Sequence, residues 1–231
     1  MVEHTLRAYD EELEGITAEL SRMGGLAEAE VADAIRAIVR RDIALAQSVI
    51  GHDVKLDEIE ADIDRRAIRL IALRQPVADD LRRIVAALKI SMNLERCGDL
   101  AKNIAKRALV IAEYDPLTPV TRSIERMGEL VAGRLKDVLD AFAARDLDRA
   151  RTVWQRDQEV DEHYDSIFRE LLTYMMADPR TISSCAHLLF VAKNLERIGD
   201  HATNIAEILQ YEITGEPMTE SRPKLDSLDR Q

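Results

Sequence analysis

Apolar residues recur every three to four positions along most of the chain, which is the spacing of one buried face of an α-helix. Leu13, Ile16 and Leu20 show this spacing near the N-terminus. No stretch has the alternation of apolar and polar residues that a half-buried strand requires. The pattern therefore predicts an all-α protein. Its six helices should cover residues 5–48, 54–74, 77–112, 118–143, 147–176 and 178–213.

Glycine and proline residues mark the boundaries of these helices. A turn is expected at 51–53, and the Gln-Pro pair at 75–76 ends the second helix because proline cannot continue it. Residues 113–121 contain two prolines and form the one credible domain linker. Gly215 should close the last helix, and the polar residues 215–231 should form a flexible tail.

One peptide occurs twice in the chain. Residues 93–105 read NLERCGDLAKNIA, and residues 194–206 read NLERIGDHATNIA. Ten of the thirteen positions are identical, which is too many for a chance match within one chain. The chain is therefore a tandem duplication. We predict one three-helix bundle at 1–113 and a second at 119–214.

Composition supports a helical bundle and narrows the class of function. Hydrophobic residues make up 46% of the chain and aromatic residues only 4%, so the core must consist mainly of Ala, Leu, Ile and Val. The formal net charge of −11 disfavours nucleic acid as a partner and favours cations. Cys97 and Cys185 form no metal-binding motif, and Cys97 is expected to be a reduced core thiol.

Several features of other protein classes are missing from the sequence. The stretch MVEHTLRAYDEELEG is too charged for a signal peptide, and no apolar run reaches the ~18 residues that suggest a membrane span. The chain also shows no nucleophile–base arrangement, no Gly-rich phosphate loop and no basic groove. We therefore expect a cytoplasmic protein with no membrane insertion.

The repeated peptide carries an acidic line. On a helix, Glu95, Asp99 and Asn103 lie one turn apart on a side away from the apolar face. Two ionised carboxylates at i and i+4 repel each other, and solubility alone would favour Glu with Lys at this spacing. The second half keeps the pair as Glu196 and Asp200. A positive group is therefore expected beside each pair.

A second acidic pair precedes each of these by 35 residues, on the middle helix of each half. Adjacent antiparallel helices could bring the two pairs of each half to one patch. Four carboxylates supply hard oxygen donors, which suit Mg²⁺, Ca²⁺, Mn²⁺ or iron, and like charges held close require neutralisation. The candidate metal ligands are Glu60, Asp64, Glu95, Asp99, Asp161, Asp165, Glu196 and Asp200.

The alternative interpretation is that these carboxylates are only solvated. For one isolated pair that interpretation is better, but four pairs in register across a duplication favour a cation patch. Gly98 and Gly199 add a structural constraint. Glycine inside a helix costs about 1 kcal/mol relative to alanine, so keeping it twice implies close contact with a neighbouring helix.

Several motifs, arranged in order around the internal repeat, resemble the PhoU family of bacterial phosphate-signalling regulators. They are MGGL at 23–26, IALRQP at 71–76, YMMADPRTI at 174–182 and the duplicated peptide. The resemblance covers nearly the whole chain and implies two three-helix bundles. In some members of the family, paired E/D-x-x-x-D motifs hold iron or zinc clusters, and these motifs coincide with the eight carboxylates named above. We expect iron, zinc, manganese or magnesium as the ion.

The resemblance also implies a function. PhoU proteins are negative regulators of phosphate uptake and of the phosphate-starvation response. They are thought to link the phosphate ABC transporter, through its ATPase subunit PstB, to the membrane sensor kinase PhoR. We therefore expect a non-enzymatic adaptor that forms a homodimer.

The sequence leaves two other functions open. A carboxylate-bridged di-metal oxidase would usually have Glu-x-x-His pairs facing the interior of a bundle, and the chain contains no Glu-x-x-His. A helical adaptor without metal has the same sequence features as the metal-binding regulator. Only metal analysis separates these last two.

Overall fold

The computed structural model describes residues 2–52 and 54–219 and confirms the all-α architecture, with no strand in either range. Each half has a long first helix, a middle helix in two pieces and a long last helix. In the first half these are α1 (Val2–Arg40), α2 (Ile43–His52), α3 (Val54–Arg74) and α4 (Asp79–Ile111). In the second half they are α5 (Thr118–Ala144), α6 (Leu147–Gln155), α7 (Gln158–Ala177) and α8 (Ile182–Thr214), with a 3₁₀ turn at Pro179–Thr181.

The prediction of an unbroken helix over 5–48 is wrong, because the chain turns between α1 and α2. Arg41 has a φ of 54°, outside the right-handed helical region. Its guanidinium donates to the carbonyl oxygens of Ala112 and Tyr114 at 2.8 and 2.6 Å. Asp42 Oδ1 then accepts a hydrogen bond from the backbone N–H of Leu45 at 2.9 Å, in the manner of a helix N-cap.

The second half repeats this turn. Arg145 has a φ of 53° and forms an ion pair with Glu212 at 2.6 Å. Asp146 Oδ1 accepts from the N–H groups of Asp148 and Arg149, which caps α6. The helix predicted at 147–176 is also interrupted, since α6 ends at Gln155 and α7 begins at Gln158.

Two helix pairs join the halves into one continuous aliphatic core. One pair is α4 with α8, which run antiparallel: Asn93 Oδ1 lies 2.9 Å from His201 Nδ1, and Arg107 Nη1 lies 3.0 Å from His187 Nδ1. The other pair is α1 with α5. There a Cβ on Gly128 would lie 2.8 Å from Cγ2 of Ile35, so the helices can approach this closely only with glycine.

Parts of two predicted irregular segments fall outside the described residues. In the predicted turn at 51–53, Gly51 and His52 belong to α2, and Asp53 lies outside the description. Of the predicted tail 215–231, residues 215–219 follow α8, and Met218 packs against the core. Residues 220–231 lie outside the description.

Candidate functional site: two acidic patches

The first patch comprises Glu60 and Asp64 of α3 and Glu95 and Asp99 of α4. Gly98 allows the two helices to approach closely, because a Cβ there would lie 2.3 Å from Cδ1 of Leu56. The charge of Glu60 on α3 acts on Glu95 of α4 across this contact. The packing of α3 against α4 thus places Glu60 near Glu95, while Asp64 interacts with Glu60 and Asp99 interacts with Glu95.

Burial and mutual repulsion change the proton affinity of the first patch. Burial raises the pKa of Glu95 to about 7, and the charge of Asp99 adds to the rise while Arg96 opposes it. Burial and the charges of Asp64 and Asp57 likewise raise the pKa of Glu60. Glu95 therefore binds a proton more readily than an ordinary glutamate does, and a metal cation could take the place of that proton.

Arg96 is the basic side chain that contacts this patch. Its Nε lies 3.4 Å from Glu95 Oε2, and its Nη1 lies 3.5 Å from Asp99 Oδ2. Both distances are long for a charge-assisted hydrogen bond, and the Arg96 side chain is 59% exposed. An exposed ion pair of this kind compensates the partly buried carboxylates only weakly.

The second patch comprises Asp161 and Asp165 of α7 and Glu196 and Asp200 of α8. Here Gly199 faces α7, and a Cβ would lie 3.3 Å from Cγ1 of Val160. The helix contact that the two glycines imply is thus present in both halves. The second approach is less tight than that at Gly98, because the facing Val160 side chain leaves more room.

The second patch differs from the first because it contains a lysine that forms a short ion pair with one of its carboxylates. Lys193 Nζ donates to Glu196 Oε1 at 2.8 Å and lies 5.3 Å from the centre of the Tyr164 ring. The charge of Asp200 also acts to raise the pKa of Lys193. The other oxygen of Glu196, Oε2, is buried without a hydrogen-bond partner. The repeat has Met92 where the second half has Lys193.

The asparagines of the acidic lines lie at the contact of α4 with α8. Asn204 Nδ2 donates to Asn93 Oδ1 at 3.4 Å, and Asn103 lines a groove between the two helices. His201, which follows Asp200 in the sequence, also contacts Asn93. These side chains therefore join the two halves.

The donor chemistry of both patches fits a hard cation, although the side chains are not placed as finished ligand sets. Within 2–52 and 54–219, no group of three or more His, Cys, Asp or Glu side chains is placed to hold one ion. The observations that favour a cation are the raised pKa of Glu95 and the buried oxygen of Glu196 that has no hydrogen-bond partner. A bound cation would satisfy both, since it neutralises carboxylates and accepts several oxygen ligands.

Sequence reasoning missed a polar cluster buried between α5, α7 and α8. Thr203 donates to Asp157 Oδ1 at 2.7 Å, and Arg134 Nη2 donates to Glu159 Oε2 at 3.2 Å. Arg134, Asp157 and Thr203 are buried. One signal was available in the repeat, since the first half has the apolar Leu56 at the position of Asp157.

Comparison with known proteins assigns both halves of the chain to the same domain family. The PhoU domain family matches the chain over residues 20–108 and again over 124–209. The chain therefore belongs to the PhoU domain family and contains the domain twice. It is 67% identical over 230 residues to the phosphate-specific transport system accessory protein PhoU homolog of Caulobacter vibrioides (strain NA1000 / CB15N), covering 100% of both chains. The homolog from Rhizobium meliloti (strain 1021) is 52% identical over 96% of this chain and 94% of its own.

Solved structures agree with the fold. The crystal structure of PhoU from Pseudomonas aeruginosa superposes with a TM-score of 0.88 at 41% identity, covering 90% of this chain and 100% of that one. The phosphate transport system regulatory protein PhoU from Streptococcus pneumoniae gives 0.85 at 28% identity, covering 92% and 100%. None of the helices within the described ranges combines the length and the apolar character that a membrane-spanning segment needs.

Proposed function

We propose that this chain is a non-enzymatic accessory regulator of a phosphate-specific transport system, and that it represses phosphate uptake and the phosphate-starvation response. The observation that carries the proposal is full-length similarity, at 67% identity, to a protein named as an accessory protein of that system. The duplicated PhoU domain and the same fold in a protein titled a phosphate transport regulatory protein support it.

The regulator acts as a cytoplasmic adaptor between the ATPase subunit of the transporter, PstB, and the sensor histidine kinase PhoR. It works as a homodimer. An adaptor needs exposed, chemically distinct surfaces on a rigid frame. The two acidic patches meet this need, because they lie on separate halves that share one core.

The acidic patches bind metal ions, with iron, zinc, manganese and magnesium as the candidates. The ions are structural: a cation in the first patch would neutralise the carboxylates and hold α3 against α4. Without it, burial and the charge of Asp99 raise the pKa of Glu95, and the charges of Glu60 and Asp64 remain close. A partner surface built on this face would then respond to metal.

A carboxylate-bridged di-metal oxidase is a weaker proposal. The residues buried between the helices are mainly aliphatic, and the signature carboxylates lie on partly exposed faces. An adaptor without metal stays the alternative that elemental analysis separates from our proposal.

The regulatory role is tested by deleting the gene and measuring phosphate uptake and a starvation-promoter reporter in phosphate-rich medium. We expect both to rise on deletion and to return to normal with the wild-type gene. If uptake and reporter are unchanged, the chain is not a negative regulator.

The metal proposal needs a separate measurement. Purified wild-type protein is compared by elemental analysis with a variant in which Glu95, Asp99, Glu196 and Asp200 are all changed to alanine. We expect bound metal in wild type only. A wild type that stays empty after metal is supplied would support the metal-free adaptor instead.

A further inference from the structure

The duplication relates the two ends of the contact between α4 and α8. Because these helices are repeats and run antiparallel, residues at one end of the contact correspond to residues 101 positions away at the other end. A groove lies at each end. One groove, of about 390 Å³, is called the closed groove because residues that follow α8 also line it. Its lining residues on the two helices are Val85, Ala86, Lys89, Glu207, Ile208 and Tyr211. The other groove, of about 370 Å³, is called the open groove because only residues of α4 and α8 line it. These residues are Asn103, Lys106, Arg107, Val110, Phe190 and Asn194.

At the closed groove, the residues that follow α8 form part of the wall. After α8 ends, Gly215 adopts a φ of 77°, which redirects the backbone. Pro217 and Met218 then line the closed groove, and Met218 packs against the core. This short segment, residues 216–219, consists of an acidic residue, a proline, an apolar residue and a threonine, in that order.

The same segment occurs after α4, where it follows a different path. Residues 114–118 read YDPLT and residues 215–219 read GEPMT, so the acidic–proline–apolar–threonine order is part of the duplication. In the first half this segment must connect α4 to α5. Pro116 and Leu117 therefore line a different cavity, beside Ile38 and Leu188. The open groove is left without the segment that its repeat supplies at the other end.

The open groove has the chemistry to attract an acidic segment more strongly than the closed groove does. Lys106 replaces Glu207, and Arg107 replaces Ile208. These two adjacent cations contrast with the net charge of −11 on the chain. The sequence analysis predicted no basic groove. Opposite charges at a docking surface raise the association rate and select the partner.

Arg107 is held in position at this groove. Its Nη1 donates to His187 Nδ1 at 3.0 Å, and its guanidinium lies 4.6 Å from the centre of the Phe190 ring. Burial and the charge of Arg107 lower the pKa of His187, so the imidazole is neutral and can accept this hydrogen bond. The Phe190 ring is 54% exposed and provides an apolar floor beside the cations.

We propose that the open groove, formed by Lys106, Arg107, Phe190 and their neighbours, is a docking site for an extended segment of a partner protein. The segment carries an acidic residue next to a proline and an apolar side chain. Its carboxylate pairs with Lys106 and Arg107, and its apolar side chain lies on Phe190. The proposal goes beyond the regulatory function and does not depend on metal.

The test is a nuclear magnetic resonance titration of the full-length protein with an acetylated, amidated peptide, Gly-Glu-Pro-Met-Thr-Glu, which is the sequence of residues 215–220. We expect saturable shifts of backbone amides at Asn103, Phe190 and Asn194. A free hexapeptide loses conformational freedom on binding, so the dissociation constant should be about 0.1–1 mM. The charge-reversed peptide Gly-Lys-Pro-Met-Thr-Lys should bind at least ~10-fold more weakly.

Two variants and one matched control make the assignment specific. Lys106→Glu reverses an exposed charge, and Phe190→Ala removes the apolar floor. Each should weaken peptide binding by ~10-fold or more. Lys89→Glu makes the same charge change on α4 at the closed groove and should leave binding unchanged. Circular dichroism confirms that all three variants fold.

Three outcomes would overturn the proposal. The first is no saturable shift in wild type at several millimolar peptide. The second is a set of shifts confined to the closed groove, around Val85 and Tyr211, which would mean that the peptide only replaces the protein's own segment. The third is a wild-type dimer in sedimentation velocity that Lys106→Glu dissociates, because a second copy of the chain would then be the occupant.

Discussion

Lys193 and Glu196 form a 2.8 Å ion pair within the second acidic patch, and the first patch has no equivalent because Met92 stands at the position of Lys193. The two patches are therefore different sites despite their shared carboxylates. An ammonium group tethered in a patch competes with any free cation for the same oxygens. The first patch should bind a cation more tightly than the second.

Exchanging Met92 and Lys193 tests this difference in cation affinity between the two patches. Met92→Lys should weaken Mn²⁺ binding at the first patch by at least ~10-fold, and Lys193→Met should strengthen it at the second. Met92→Lys should also raise the free energy of unfolding by about 0.5 kcal/mol without metal, since Arg96 compensates these carboxylates only weakly. Titration calorimetry and urea denaturation measure the two effects. Equal Mn²⁺ affinities at both patches, unchanged by Lys193→Met, would contradict the assignment.

The raised pKa of Glu95 predicts a pH dependence of stability in metal-free buffer. Because the folded state binds this proton more tightly than the unfolded state, the stabilisation is complete below about pH 4.5 and is lost as pH rises through about 7. After allowance for solvent screening, the loss should be about 1–2 kcal/mol. Glu95→Gln stays neutral, so we expect it to remove this loss and to be more stable than wild type at pH 8.

Urea denaturation between pH 5 and pH 8 measures the Glu95 effect. Glu58→Gln, on an exposed position of α3, is the matched control and should follow the wild-type profile. A Glu95→Gln profile parallel to that of wild type would show that Glu95 titrates normally.

The contact of α1 with α5 depends on a glycine. In Gly128→Ala, the new Cβ would lie 2.8–3.0 Å from three side-chain atoms of Ile35, so this side chain would have to move. We expect the variant to lose about 1–3 kcal/mol of unfolding free energy by overpacking. Gly133→Ala lies on the same helix with open space around the Cβ, and it should gain up to about 1 kcal/mol from helix propensity. If thermal unfolding showed that both variants lose stability, or that both gain it, this explanation would be refuted.

The helical architecture was predictable because the core is aliphatic and periodic. Leu13, Ile16 and Leu20 are all buried, as their spacing indicates. The break after α1 was missed because arginine has no intrinsic tendency to end a helix. Arg41 adopts its conformation through hydrogen bonds to carbonyls some seventy residues away, at Ala112 and Tyr114. Only the aspartate that follows it, a good N-cap residue, was a local signal.

The candidate site was partly predictable for a related reason. The duplication identifies pairs such as Glu95 and Glu196 without any knowledge of packing. It does not show where the repeats have diverged in function. The Lys193–Glu196 spacing of i, i+3 was visible in the sequence, but the patch that the pair neutralises depends on the packing of α7 against α8. The pairing of Asp157 with Thr203 depends on the same packing.

The hydrogen bond from Thr203 to Asp157 should stabilise the second half, because both residues are buried. Thr203→Val keeps the side-chain shape but removes the donor, and we expect a loss of about 1–3 kcal/mol in unfolding free energy. In an Asp157→Leu background, which copies Leu56 of the first half, the same change should cost less than about 0.5 kcal/mol because no buried carboxylate remains. Urea denaturation of the four proteins gives the coupling energy. If the two changes add within about 0.5 kcal/mol, the hydrogen bond does not contribute to stability, and burial of Asp157 would need another cause.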